Sequence, residues 1–224
     1  MADQQNNIGP FALKDCSLVA IATGEKAQNL REMRDRLINI HPGSIYYHFW
    51  GGLLRSRFDD PQFNNEFAVW SHYALHDDIL AERLAVIDPT DFLDLESLRQ
   101  ELLEVIEQRL EEIERPIWVQ ADLQFHFIRS EIVVFDTGVL IDDAPGLAEF
   151  VPKMALGSIF YHFIDARRRT PAGLDDFRSW LGCLEETHEE LCHALAAVDP
   201  YFTTLSELRT ELDGVFGQFF RRSA

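Results

Sequence analysis

Lysine is scarce: Lys14, Lys26 and Lys153 are the only three in 224 residues. Twenty basic against 38 acidic side chains leave a formal charge of −18, so a duplex or RNA backbone would be repelled across most of the surface and nucleic acid is not expected as a partner. Cysteine is nearly as rare. Cys16, Cys183 and Cys192 cannot all pair within the chain and form no CxxC spacing, which points to a reducing, cytoplasmic compartment. No run of about 18 uncharged apolar residues occurs, so no bilayer span and no membrane partner is expected. Met1 to Pro10 has no apolar segment behind a basic one, and no secretory signal is read there. The Gly-x-Ser-x-Gly elbow, the phosphate loop and the dinucleotide glycine pattern are also missing, and no cofactor is expected.

What is present is apolar side chains, 46% of the total, enough for one large or two small cores. They are arranged with a repeat. Gly43-Ser-Ile-Tyr-Tyr-His-Phe49 returns as Gly157-Ser-Ile-Phe-Tyr-His-Phe163, six identities in seven at a shift of 114. The same shift sets Thr23-Gly24 on Thr137-Gly138, and Phe11 and Leu13 on Phe125 and Phe127. After a four-residue deletion, Glu66-Phe67 falls on Asp176-Phe177, Trp70 on Trp180, Asp88-Pro89 on Asp199-Pro200 and Leu98-Arg99 on Leu208-Arg209. The reading is an internal duplication: copy one over 11–114, a divergent copy two over 125–220, and a packed joint over 115–124 in which Arg115-Pro116-Ile117-Trp118 breaks the helical pattern.

Each copy opens with β-prone sequence, clearest at 125–128 and 131–135. A helix follows with Leu30, Met33, Leu37 and Ile40 on one face. Ser44 and Ser158 are expected to N-cap a second, nearly all-apolar helix, and Thr-Gly is expected to make the turn before the first. A third helix is expected to run unbroken from Asn64-Asn65 to Asp88-Pro89, burying Phe67, Trp70, Ala74, Ala81, Leu84 and Ile87. The fourth spans about 94–114, and Thr204-x-x-Glu207 has the form of a capping box for its counterpart. The expected fold is therefore mainly α: two tandem four-helix modules with pseudo-two-fold symmetry and short N-terminal strands.

Ser44-Ile-Tyr-Tyr-His48, Asn65-Glu-Phe-Ala-x-Trp70 and Leu80-Ala-Glu-Arg-Leu-Ala-x-Ile-Asp88 together resemble a bacterial family of unknown function. The resemblance covers copy one almost entirely and copy two more weakly. It implies a helical cytoplasmic protein and carries no activity or catalytic residue with it. Copy two departs from the pattern at His193-Ala194, where copy one has Glu82-Arg83, and at Arg178-Ser179, where it has Ala68-Val69.

Three constellations are candidates for function. His48 and His162, beside Tyr47 and Tyr161, occupy the same point of the repeated motif. With Glu66 and Asp176 they have the residue types of a zinc, iron or manganese site, although the spacing is no recognised ligand motif. The alternative is that both are core residues with satisfied hydrogen bonds. Arg55 and Arg57, and Arg167 to Arg169, concentrate positive charge at helix ends. There Arg55 and Arg169 could fork onto an anionic ligand or simply complement helix dipoles and nearby acids. His76-Asp77 superficially suggests metal-dependent phosphohydrolases, but copy two has Glu186-Thr187-His188 there and Asp88 follows too closely. Between His76 and Arg115, thirteen acids face four arginines, for a local charge of −9. The functional expectation is a non-enzymatic binding or regulatory module. It would use a groove between the copies for an anionic small molecule, or its acidic face for a protein partner, and the sequence leaves homodimer assembly open. The alternative is a metal-dependent enzyme built on His48, His162, Glu66 and Asp176.

Overall fold

The computed structural model describes residues 9–54, 63–113, 120–170, 172–184 and 188–220. Of these, 57% are helical and 18% lie in strands, and the chain is an α/β protein. That corrects the expected mainly-α fold of two four-helix modules. The strands β1 (Phe11–Ala27) and β2 (Phe125–Ile141) are 17 residues each and pair as an antiparallel two-stranded sheet. Their length was hidden because buried and exposed positions alternate mainly at the starts, where Phe11 and Leu13, and Phe125 and Phe127, point inward. Further along, most positions are partly or fully exposed, and the apolar pattern fades.

Thr23-Gly24 and Thr137-Gly138 lie inside these strands, not in turns before helices. Gly24 and Gly138 have φ of 82° and 71°, a left-handed conformation that a side chain would strain. Thr23 Oγ1 donates to the Phe127 carbonyl at 2.6 Å, and Thr137 Oγ1 to the Leu13 carbonyl at 2.5 Å.

The chain divides into two compact units, one of residues 18–133 and one of 1–17 with 134–224. Each long strand therefore contributes to both. The first unit holds α1 (Leu30–Asn39), α2 (Pro42–Trp50), α3 (Glu66–Tyr73), α4 (Asp78–Ala85) and α5 (Leu95–Glu112) around Leu37, Ile45, Phe49, Phe67, Leu80, Leu98 and Leu102. Asn29 caps α1 by accepting from Glu32 N–H at 2.9 Å, as its Asn-x-x-Glu sequence suggests. The expected third helix is two helices, α3 and α4. His76 breaks it at φ 55°, and Asp77 starts the next helix by accepting from Leu80 N–H at 3.0 Å. The α2 cap is also corrected: His41 Nδ1 accepts from Gly43 N–H at 3.0 Å, Pro42 occupies the first helical position and Ser44 lies inside.

The other unit holds α6 (Ala144–Phe150), a 3₁₀ turn over Val151–Lys153, and α7 (Leu156–Ile159). The helix then widens into a π-helical stretch, Phe160–Asp165, and finishes as α8 (Ala166–Arg169). Ala155, not Ser158, caps it. Then come α9 (Asp176–Leu181), α10 (Glu189–Ala196) and α11 (Leu205–Phe220), around Leu147, Phe160, Phe163, Phe177, Leu208 and Phe216. The capping box at α11 forms: Glu207 N–H donates to Thr204 Oγ1 at 3.2 Å, and Thr204 N–H to Glu207 Oε2 at 3.0 Å. Residues 121–123 of the expected joint pack on the first unit, with Ala121 N–H donating to the Gln28 carbonyl at 2.7 Å. Arg115 to Trp118 lie outside the described residues. No helix among the described residues is long and apolar enough to cross a membrane.

Candidate functional site

In the unit of residues 18–133, His48 sits near the end of α2, buried against Phe125, Phe67 and Phe127 at ring distances of 4.6, 5.3 and 6.0 Å. Both ring nitrogens are occupied. Nε2 accepts from Ile128 N–H at 3.1 Å, which fixes the proton on Nδ1, and Nδ1 then donates to Glu66 Oε2 at 2.7 Å. Glu66 is the first residue of α3, where a carboxylate meets the positive end of the helix dipole, and Asn65 caps the same turn through Ala68 N–H at 2.9 Å. A two-stranded sheet leaves outer strand N–H groups without a ladder partner. The imidazole supplies one here, so it fastens strand, α2 and α3 together.

The second unit has the same arrangement. His162 Nε2 accepts from Lys14 N–H at 2.9 Å, and Nδ1 donates to Asp176 Oδ2 at 2.8 Å. Phe11 lies 4.8 Å from the ring, and Asp176 is the first residue of α9. The glycine opening the motif serves this contact. A Cβ on Gly157 would stand 2.4 Å from the Cys16 carbonyl oxygen, so only glycine lets β1 lie this close to the helix start. Cys16 Sγ donates to the Gly157 carbonyl at 3.3 Å, and burial, with Asp165 and Asp15 nearby, pushes its thiol up to about 12.

Trp70 and Trp180 also act alike. Trp70 Nε1 donates to the Leu123 carbonyl at 2.7 Å and Trp180 Nε1 to that of Gly9 at 3.1 Å, each just before a strand. Trp70 is buried, whereas Trp180 is only half-buried.

Of the residues picked from sequence, the structure brings His48 to Glu66 and His162 to Asp176, each pair within its own unit. Among the described residues no group of three or more His, Cys, Asp or Glu side chains could hold a metal ion. Tyr47 and Tyr161 stand edge-on to the two imidazoles. Arg169 is held by its surroundings: it donates to Asp165 at 2.8 Å, to Asp176 at 3.0 Å and to the Tyr161 carbonyl at 2.9 Å, and lies 3.9 Å over the Tyr161 ring. Asp165, 2% exposed, also accepts from Arg168 at 3.1 Å. Sequence reasoning missed Asp165, although its spacing of three and four to the arginines was the available signal. Arg55 and Arg57 lie outside the described residues. His76 and Asp77 diverge: His76 Nε2 meets Asp122 at 2.7 Å, while Asp77 accepts from Arg109 Nε at 2.9 Å. Beside His162 an open groove of about 440 Å³ is lined by Phe11, Lys14, Tyr161, Asp176 and Trp180.

The class these features define is an α/β protein of two compact units sharing a pair of long strands, each unit fastened by a histidine between a strand amide and a helix-starting carboxylate. Residues 8–217 match the family of unknown function DUF5752, and the chain belongs to that family. It is similar to the structure of OrfY from Thermoproteus tenax, at 26% identity over 93% of this chain and 94% of that one, with a TM-score of 0.80. No protein of curated function matches it.

Proposed function

We propose that this chain is a non-enzymatic binding module of the cytoplasm, made of two copies of one unit, that receives a basic protein surface on its acidic face. The carrying observation is the stretch from His76 to Arg115, which includes α4 and α5 and in which thirteen acids oppose four arginines. Arg99 is committed to Glu96 at 2.8 Å, Arg83 to Glu112 at 2.9 Å and Arg109 to Asp77 and Glu112. Glu104 and Glu111 remain exposed on α5. Such a field speeds association with a cationic partner and rejects anions. An anionic ligand is disfavoured at Arg169 by its two carboxylate partners. A catalytic or metal-binding role is disfavoured at His48 and His162, because neither imidazole has a free nitrogen. The matched histidine, carboxylate and tryptophan contacts support the duplication.

Crosslinking in cells tests this reading, with captured proteins identified by mass spectrometry. Wild type is expected to capture a partner that the folded Glu104→Lys/Glu111→Lys variant loses. Identical capture by both proteins would overturn the reading.

A further inference from the structure

The end of α4, the connection to α5 and the middle of α5 line an open groove of about 460 Å³. Its apolar lining comes from Val86, Phe92 and Val105, and its acidic lining from Asp88, Asp91 and Glu101. The connection holds aliphatic side chains in water: Val86 is 76% exposed and the neighbouring Leu93 94%. Asp88 is occupied by Thr90, whose N–H and Oγ1 donate to it at 2.8 and 2.7 Å. Arg83, the cation of the lining, is turned onto Glu112 at 2.9 Å. Apolar floor, acidic rim and a neutralised arginine together select the chemistry of an occupant.

We infer that this groove docks a cationic amphipathic helix of a partner protein, with large aliphatic side chains seated on Val86, Phe92 and Val105 and flanking lysines or arginines facing Asp91 and Glu101. The inference rests on the acidic-face reading above and adds a location and a chemistry to it. The groove is open to solvent and not enclosed, which suits a helix presenting side chains at i, i+3 and i+4 better than a buried small molecule. A second copy of this chain is a poor occupant, since it carries three lysines and a net charge of −18.

The test is fluorescence anisotropy with a labelled Leu/Lys peptide of amphipathic helical pattern, compared with a scrambled peptide of equal composition. The patterned peptide is expected to bind about tenfold more tightly than the scrambled one. Val86→Ser/Phe92→Ser is expected to weaken it about tenfold and Glu101→Lys by a similar factor, while Glu111→Lys, on the acidic face but outside the groove, weakens it clearly less. Circular dichroism and melting confirm that each variant is folded, and Leu93→Ser, at a fully solvated position, provides an apolar change without risk to the core. Equal weakening by Glu101→Lys and Glu111→Lys, with no effect of the serine variants, would overturn the groove while leaving the acidic face standing. Absence of peptide binding, or equal binding of the scrambled peptide, would overturn the groove as well. Failure of the cellular crosslinking alone would count against the acidic-face reading.

Discussion

Replacing His48 by glutamine should cost about 2–4 kcal/mol of folding stability. Glutamine can reach either Glu66 or Ile128 N–H, but it cannot reproduce the imidazole bridge of 2.7 and 3.1 Å to both. Leaving one part-buried partner unsatisfied costs about 1–3 kcal/mol. Losing the ring contacts with Phe125 and Phe67 adds about 0.5–1.5 kcal/mol. Urea melts of wild type and variant, followed by tryptophan fluorescence and circular dichroism, give the difference directly. His162→Gln should lose a similar amount, because Lys14 N–H and Asp176 present the same geometry. A chelator should change neither wild type nor variants. Losses below about 1 kcal/mol in both variants would refute the bridging argument. So would a wild type that a chelator weakens to the level of the double variant.

Trp70→Ala should cost about 3–5 kcal/mol as the loss of a buried aromatic, and Trp180→Ala clearly less because that ring is half-exposed; equal losses in denaturant melts would contradict the burial difference. Since Arg169 is committed to Asp165 and Asp176, phosphate and sulfate should raise the melting temperature no more than chloride at equal ionic strength. An extra phosphate effect that Arg169→Met abolishes would restore an anion site. Hydrogen bonds hold three carboxyls below their usual range: Asp94 by Ser97 N–H, Glu112 by Arg83 and then Arg109, and Glu207 by Thr204. Their folded values lie below the unfolded ones. The stability they add is therefore complete above the unfolded carboxylate range, about 4, and is lost as pH falls through the lower folded values. Denaturant melts between neutral and acid pH should show that decline, shallower in Glu207→Gln; an unchanged slope in that variant would contradict it.

Helix content was legible in the sequence wherever caps and periodicity agreed. Thr204 and Glu207 form the capping box as read, the helices expected to start near Asn65 and Asp94 do start there, and Leu30, Met33 and Leu37 are buried. The break at His76 was hidden because Phe67 to Ile87 keep a nearly helical apolar spacing across it, and a left-handed histidine has no sequence signature as plain as glycine. The strands were legible only where a core face alternates, so their exposed halves looked like connecting chain. The histidines and carboxylates could be read from the sequence as matched positions of the repeat. Their third partner, a strand amide, could not be, since backbone groups leave no trace in residue identity. The groove over Val86, Phe92 and Val105 arises where α4 stops and α5 begins, and an unbroken third helix gave no reason to look there.

The most direct measurement of the central claim, that these histidines fasten the fold and leave chemistry to no metal, is a long-range ¹H–¹⁵N spectrum of the imidazoles with and without added zinc. His48 and His162 are predicted to show the neutral tautomer protonated at Nδ1, with Nε2 an acceptor, unchanged by the metal. Protonation at Nε2, or a zinc-induced shift of the Nε2 resonances in the folded protein, would contradict the account.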